Sequence, residues 1–162
     1  MTKLIGQNTF KDLSEIDVTS HLESKNGLSY LQWMAAWSIA KSYDPEATYE
    51  VHKDNEGNPF FQTEAGAFVK TTVTIKGQSL TEILPVLDFR NKAVKGDKLN
   101  VFDINSAYKR CLVKTLAMHG LGAQVYIDGQ GHGLDLSKGL AKANSKPKVV
   151  ANGGNDSIND LF

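Results

Sequence analysis

The chain of 162 residues holds one cysteine, Cys111, so an internal disulfide framework is excluded and a reducing cytosol suits it. No apolar run approaches the roughly 20 residues that a membrane-crossing helix needs. The opening segment MTKLIGQNTFKDLSE lacks the apolar stretch of a signal peptide, which predicts a cytoplasmic location. Formal net charge is zero, so no global excess marks a nucleic-acid binder. No GKS or GKT occurs, and the glycine-rich DGQGHG (128–133) fits neither a phosphate-binding loop nor a dinucleotide fingerprint. His21, His52, His119 and His132 show no pairing at ligand spacing, and one cysteine cannot build a structural zinc site. No metal or other cofactor is expected. Asp88 and Asp103 are the carboxylates that a metal-dependent nuclease reading would use, although Asp103 also suits a helix cap.

What is present is a chain able to bury a core, at 41% hydrophobic and 22% charged residues. Its charge is unevenly spread. Residues 1–64 carry five Lys against ten acids. Residues 89–114 carry Arg90, Lys92, Lys95, Lys98, Lys109, Arg110 and Lys114 against only Asp97 and Asp103. Lys138, Lys142, Lys146 and Lys148 follow without an acid, and the last residues, DSINDLF, are acidic. A neutral chain with such segments can hold a polyanion locally.

Periodicity predicts an α+β fold. LSYLQWMAAWSIAKSY (28–43) reads as a helix capped by Ser29 and ended by Asp44 and Pro45. Trp33 and Trp37 share one side of it and suit base stacking, core packing or a subunit interface. ATYEVHKD, PFFQTE, AFVKTTVTIKG and SLTEILPVLD read as a meander of three or four antiparallel strands. NEGN is a hairpin turn, and Pro85 marks an edge or a bulge. FRNKAVKGDKLNVF is a basic loop. The long helix after it begins near Asp103 or Asn105 and stops at Gly120. His119, at that helix end, suits a cation facing the dipole. QVYIDG (124–129) reads as a short strand. The domain expectation is 1–134 folded, 135–155 a flexible basic linker and 156–162 an acidic tip.

Projection of the long helix puts Ile104, Ala107, Tyr108, Cys111, Thr115 and Met118 on a core face. Arg110 and Lys114 lie on one flank and Lys109 on the other. Val113 and Ala117 lie between them on the wet side. That side is either a solvated face or a basic flank beside a small-residue subunit contact. Seven cations within 25 residues suit phosphates and are too diffuse to read bases. Phe102 adjoins the basic loop and is a stacking candidate, ahead of Tyr30, Phe60 and Phe61. The tip is either a solubilising end or a peptide ligand in which Asp156, Asp160, Leu161 and Phe162 meet a partner.

The ordered set YLQWMAAW, ATYEV, VTIKG, LPVLDFRNKA, DINSAYKRCLVKTLAMHGLG and VYIDG, over about residues 28–128, resembles the Sak-type phage single-strand annealing proteins. These are grouped with the recombination annealing proteins that include Erf, Redβ and the eukaryotic RAD annealing proteins. The resemblance implies a sheet packed on a long helix and a homo-oligomeric ring or filament. It also implies ATP-independent pairing of complementary strands in phage recombination, without enzymatic chemistry. Single-stranded DNA would lie along Arg90, Lys92, Lys95, Lys98, Phe102, Lys109, Arg110 and Lys114. Trp33, Trp37, Val113 and Ala117 are the expected subunit contacts. A nuclease or a single-stranded DNA-binding protein is the further partner considered. The alternative from the same residues is a protective single-stranded DNA-binding protein that recruits partners through its tip.

Overall fold

The alternation of AFVKTTVTI builds the centre of the molecule. In the computed structural model, which describes residues 8–136, strand β5 (Gly66–Ile75) buries Ala67, Val69, Thr71, Val73 and Ile75 on one face. β6 (Gln78–Pro85) pairs antiparallel along one edge of β5. β3 (Thr48–Val51) and β4 (Phe61–Thr63) share the other edge, one after the other. This corrects the expected hairpin between them. The turn at Asp54 forms, with Asp54 Oδ1 accepting from Glu56 N and Asn58 N, but both flanking strands run antiparallel to β5. β6 is an edge strand and ends at Pro85, where a missing N–H costs no ladder bond. The outer face of the sheet is mixed: Thr72 is bonded to Thr81 and His52 at 2.7 Å each, and Phe61 stacks on Phe68.

The inner face of the sheet packs on α3 (Val101–Met118). Its cap is Asn100, whose Oδ1 accepts from Asp103 N, so Asp103 sits in the first turn instead of starting the helix. The helix ends as expected. Gly120 N donates to Ala117 O and Leu121 N to Leu116 O, the paired bonds of a left-handed glycine stop, with Gly120 at φ 109°. Val69, Leu84, Val86, Ile104, Ala107 and Cys111 form one cluster at the front of α3. Val73, Ile75, Leu112, Val113 and Leu116 form another at its rear, closed by Leu13, Ala36, Ala40 and Leu121. Fully burying each Leu contributes about 1.5–3 kcal/mol. A buried polar pair sits between them: the Thr71 hydroxyl lies 2.8 Å from that of Thr115, which donates to Cys111 O.

Further elements differ from the sequence reading. Leu28–Leu31 is not helical but strand β2, paired with β1 (Leu22–Lys25). Asn26 and Gly27, at φ 53° and 76°, form the turn between them, the conformation that Asn-Gly favours. α2 (Trp33–Tyr43) therefore starts after Gln32, not at Ser29, and it stops at Asp44. Residues Ala123–Asp128 form a short helix, α4, instead of a strand, bracketed by Gly122 and Gly129 in left-handed conformation. Thr9–Ser14 forms α1, which the sequence reading did not place. The glycines of DGQGHG have a packing role. Gly131 and Gly133 lie so close to Thr19 and Glu15 that a Cβ would collide with their backbones, while Val18 N donates to Gly131 O and Leu134 N to Ser14 O. The linker from residue 137 and the acidic tip lie outside the described residues.

Candidate nucleic-acid interface

The face of α3 not claimed by the sheet carries Lys109, Arg110, Val113 and Lys114, which stand at adjacent helical positions. The β1–β2 hairpin, the start of α2, and α4 rise around this face and turn it into a groove of about 1130 Å³. Val113 lines the floor and is only 4% exposed. This corrects the projection, which put Val113 on the wet side of the helix. Its wet side is covered by its own chain, through the rear core cluster and the groove walls. Met118, expected in the core, is 43% exposed instead. Ala117 is half-buried.

Lys109 also departs from the projection, for it lines the same groove as Arg110 and Lys114. Its ammonium is drawn over the Trp33 ring, 3.6 Å from the centroid, and lies 5.0 Å from that of Tyr108. Burial pushes its pKa below the ordinary lysine value. The Arg110 guanidinium lies 5.7 Å from the Tyr30 ring. None of the three cations makes an ion pair among the described residues. Two acids on the groove wall are engaged elsewhere: Glu23 accepts from Gln32, and Asp128 accepts from Gln124 and Gln130 N. Tyr126 is half exposed at the groove; desolvation of its hydroxyl raises its pKa, with Arg110 pulling the other way. It stays a neutral hydrogen-bond donor at any physiological pH.

A second, smaller groove of about 570 Å³ shares Glu23, Tyr30 and Arg110 with the first. It is lined by Phe89 and Phe102, 81% and 77% exposed. The two grooves thus meet at Glu23, Tyr30 and Arg110. Asp88 and Asp103, the carboxylates of the nuclease reading, both line this groove. Each has structural work. Asp88 Oδ1 accepts from Arg90 N at 2.8 Å and Lys92 N at 3.0 Å, and these amides hold its carboxyl below the usual range. Asp103 accepts from Asn100 Nδ2 at 2.7 Å. No cluster of three or more metal-ligating side chains occurs among the described residues.

Of the cations singled out from the sequence, Lys109, Arg110 and Lys114 come together, and Phe102 joins them through the second groove. Arg90 sits at the tip of the loop beside Phe89, with its guanidinium 5.3 Å from that ring and 3.5 Å from Asp88. Lys92, Lys95 and Lys98 are exposed and line neither groove. Trp33 lines the first groove, while Trp37 packs edge-on against Tyr49 with centroids 4.9 Å apart. Both are also packed against the rear core cluster. Phe89 and Tyr126 were missed by sequence reasoning. Only the position of Phe89 beside Arg90 and Lys92 hinted at it. Asp156, Asp160, Leu161 and Phe162 lie outside the described residues.

Among the described residues no helix is long and apolar enough to cross a membrane. No curated protein and no solved structure matches the chain. A family of single-strand annealing proteins does match, over residues 8–157, which takes in α1, the sheet, α3 and both grooves. That match covers most of the chain, which belongs to the Sak single strand annealing protein family.

Proposed function

We propose that this protein binds single-stranded DNA along the track from Lys114 past Arg110 to Phe102, and pairs complementary strands without ATP in phage recombination. The observation that carries the reading is the set of three groove cations, Lys109, Arg110 and Lys114, that make no ion pair among the described residues. Phosphates are their natural counter-charge. Neutralising them releases counterions and lowers the repulsion between two approaching strands. Base pairing itself then supplies specificity, so the protein needs no base readout. Neighbouring subunits in a ring or filament would extend the track.

The test mixes two labelled complementary oligonucleotides with the protein, without ATP and with or without magnesium. Duplex formation faster than in buffer is expected, independent of magnesium. An annealing rate equal to that in buffer across all protein concentrations would sink the proposal. Strands bound but annealed no faster would identify a protective single-strand binder instead.

A further inference from the structure

The loop after β6 is not a loose basic connection. Leu87 and Ala93 bridge as an antiparallel pair, and Val94 N donates to Val86 O, with both valines buried. Above that base, Asp88 N donates to Lys92 O and Asn91 N to Asp88 O, while the Asp88 carboxylate binds the amides of Arg90 and Lys92. The fold therefore rigidifies a short tip, and the tip carries a phenyl ring 81% exposed, Phe89. A second phenyl, Phe102 at 77% exposed, stands in the first turn of α3 and lines the same groove. Core packing explains neither ring. Phe60, Leu99 and Tyr108 already close the front cluster without them.

Three features of this groove suit the faces of nucleobases. Its rings stand on a braced loop and a capped helix, so little backbone freedom is lost on binding. Tyr30 and Arg110, which join it to the cationic groove, carry a third ring and a guanidinium. Stacking on an aromatic face accepts every base, as annealing of arbitrary sequences demands. It also requires an unstacked base, so the surface selects single strands over duplex. We propose that Phe89 and Phe102 form a base-stacking platform, with the phosphates of the same strand running past Arg110 into the first groove. This rests on reading the grooves as a nucleic-acid track. It adds a division of labour, in which the first groove holds the backbone and the second holds the bases.

The experiment titrates the full chain, and its Phe89→Ala, Phe89→Trp and Phe102→Ala variants, against two labelled oligonucleotides of equal length. One is oligothymidylate and the other is abasic. Each alanine variant should weaken oligothymidylate binding about tenfold or more, leaving abasic binding and the salt dependence unchanged. Phe89→Trp should retain wild-type affinity for oligothymidylate. The platform is refuted if Phe89→Ala binds oligothymidylate within about twofold of wild type, less than one stacked base is worth. It is equally refuted if both oligonucleotides weaken alike. A change of oligomeric mass in Phe89→Ala, read by light scattering, would make the ring a protein contact and also overturn it. Failure of the wild type to bind either oligonucleotide would instead remove the underlying reading of the grooves.

Discussion

The Lys109 ammonium lies 3.6 Å from the centroid of the Trp33 ring, and this contact ties the start of α2 to the middle of α3 across the groove. A cation held over a ring is partly spent. Its charge already interacts with the π face, and burial has lowered its pKa. Replacing Lys109 by Met should cost about 1 kcal/mol of folding stability, shift the Trp fluorescence maximum, and weaken DNA less than loss of Arg110 or Lys114. Chemical denaturation followed by tryptophan emission measures the first two effects. An unchanged emission maximum would mean that the contact is not populated in solution.

Arg110 and Lys114 line the groove and Lys92 does not. Each alanine substitution in the groove should lower the slope of log affinity against log salt by about 0.7, the value per phosphate contact on a single strand. Lys92→Ala should leave the slope unchanged, although it removes the same formal charge. Equal slopes for all three variants would mean that binding follows net charge and not the groove.

Gly120 stops α3 at φ 109°, and a Cβ there would collide with the carbonyl of Phe10 in α1. Gly57 has φ 85° but open space around it. Both Ala variants carry backbone strain of about 1 kcal/mol or more, whereas only Gly120→Ala must also displace α1. The melting temperature should therefore fall further for Gly120→Ala than for Gly57→Ala. Equal losses would show that α1 does not press on the helix stop.

These contacts mark what a sequence can and cannot disclose. β5 and α3 were legible because each is long enough for its period to repeat several times, and Gly120 is the residue that a left-handed stop favours. Leu28–Leu31 was misread because four residues fit either period, and the deciding signal was the turn at Asn26 and Gly27 just outside them. α4 is six residues long, too short for a period to repeat. The side of Val113 and the reach of Lys109 depend on where α2 and β2 dock, and a single-helix projection does not contain that. Phe89 is a lone ring in a loop with no repeat, so only the bracing by Asp88 reveals that it is presented.

His119 gives the fold a pH dependence of calculable sign. It is 2% exposed, its Nε2–H donates to Val73 O at 2.9 Å, and its Nδ1 has no hydrogen-bond partner among the described residues, so burial disfavours the charged ring. Burial lowers its pKa from 6.5, with the Val73 bond opposing in part. This corrects the expectation of a cation facing the helix dipole. The folded value lies below the unfolded one, so the unfolded chain takes up the proton first as pH falls. The stabilisation is complete above 6.5 and is lost progressively as pH drops below that value toward the folded one. Asp17, Asp44, Asp54 and Asp88 are also lowered, but from 3.8, so their losses fall in a more acidic window. The wild-type melting temperature should decline between about pH 7.5 and pH 5, and His119→Gln should flatten that decline. Gln matches the ring's size closely and keeps a donor for Val73, but it does not titrate. Parallel profiles for the two proteins would remove His119 as the source.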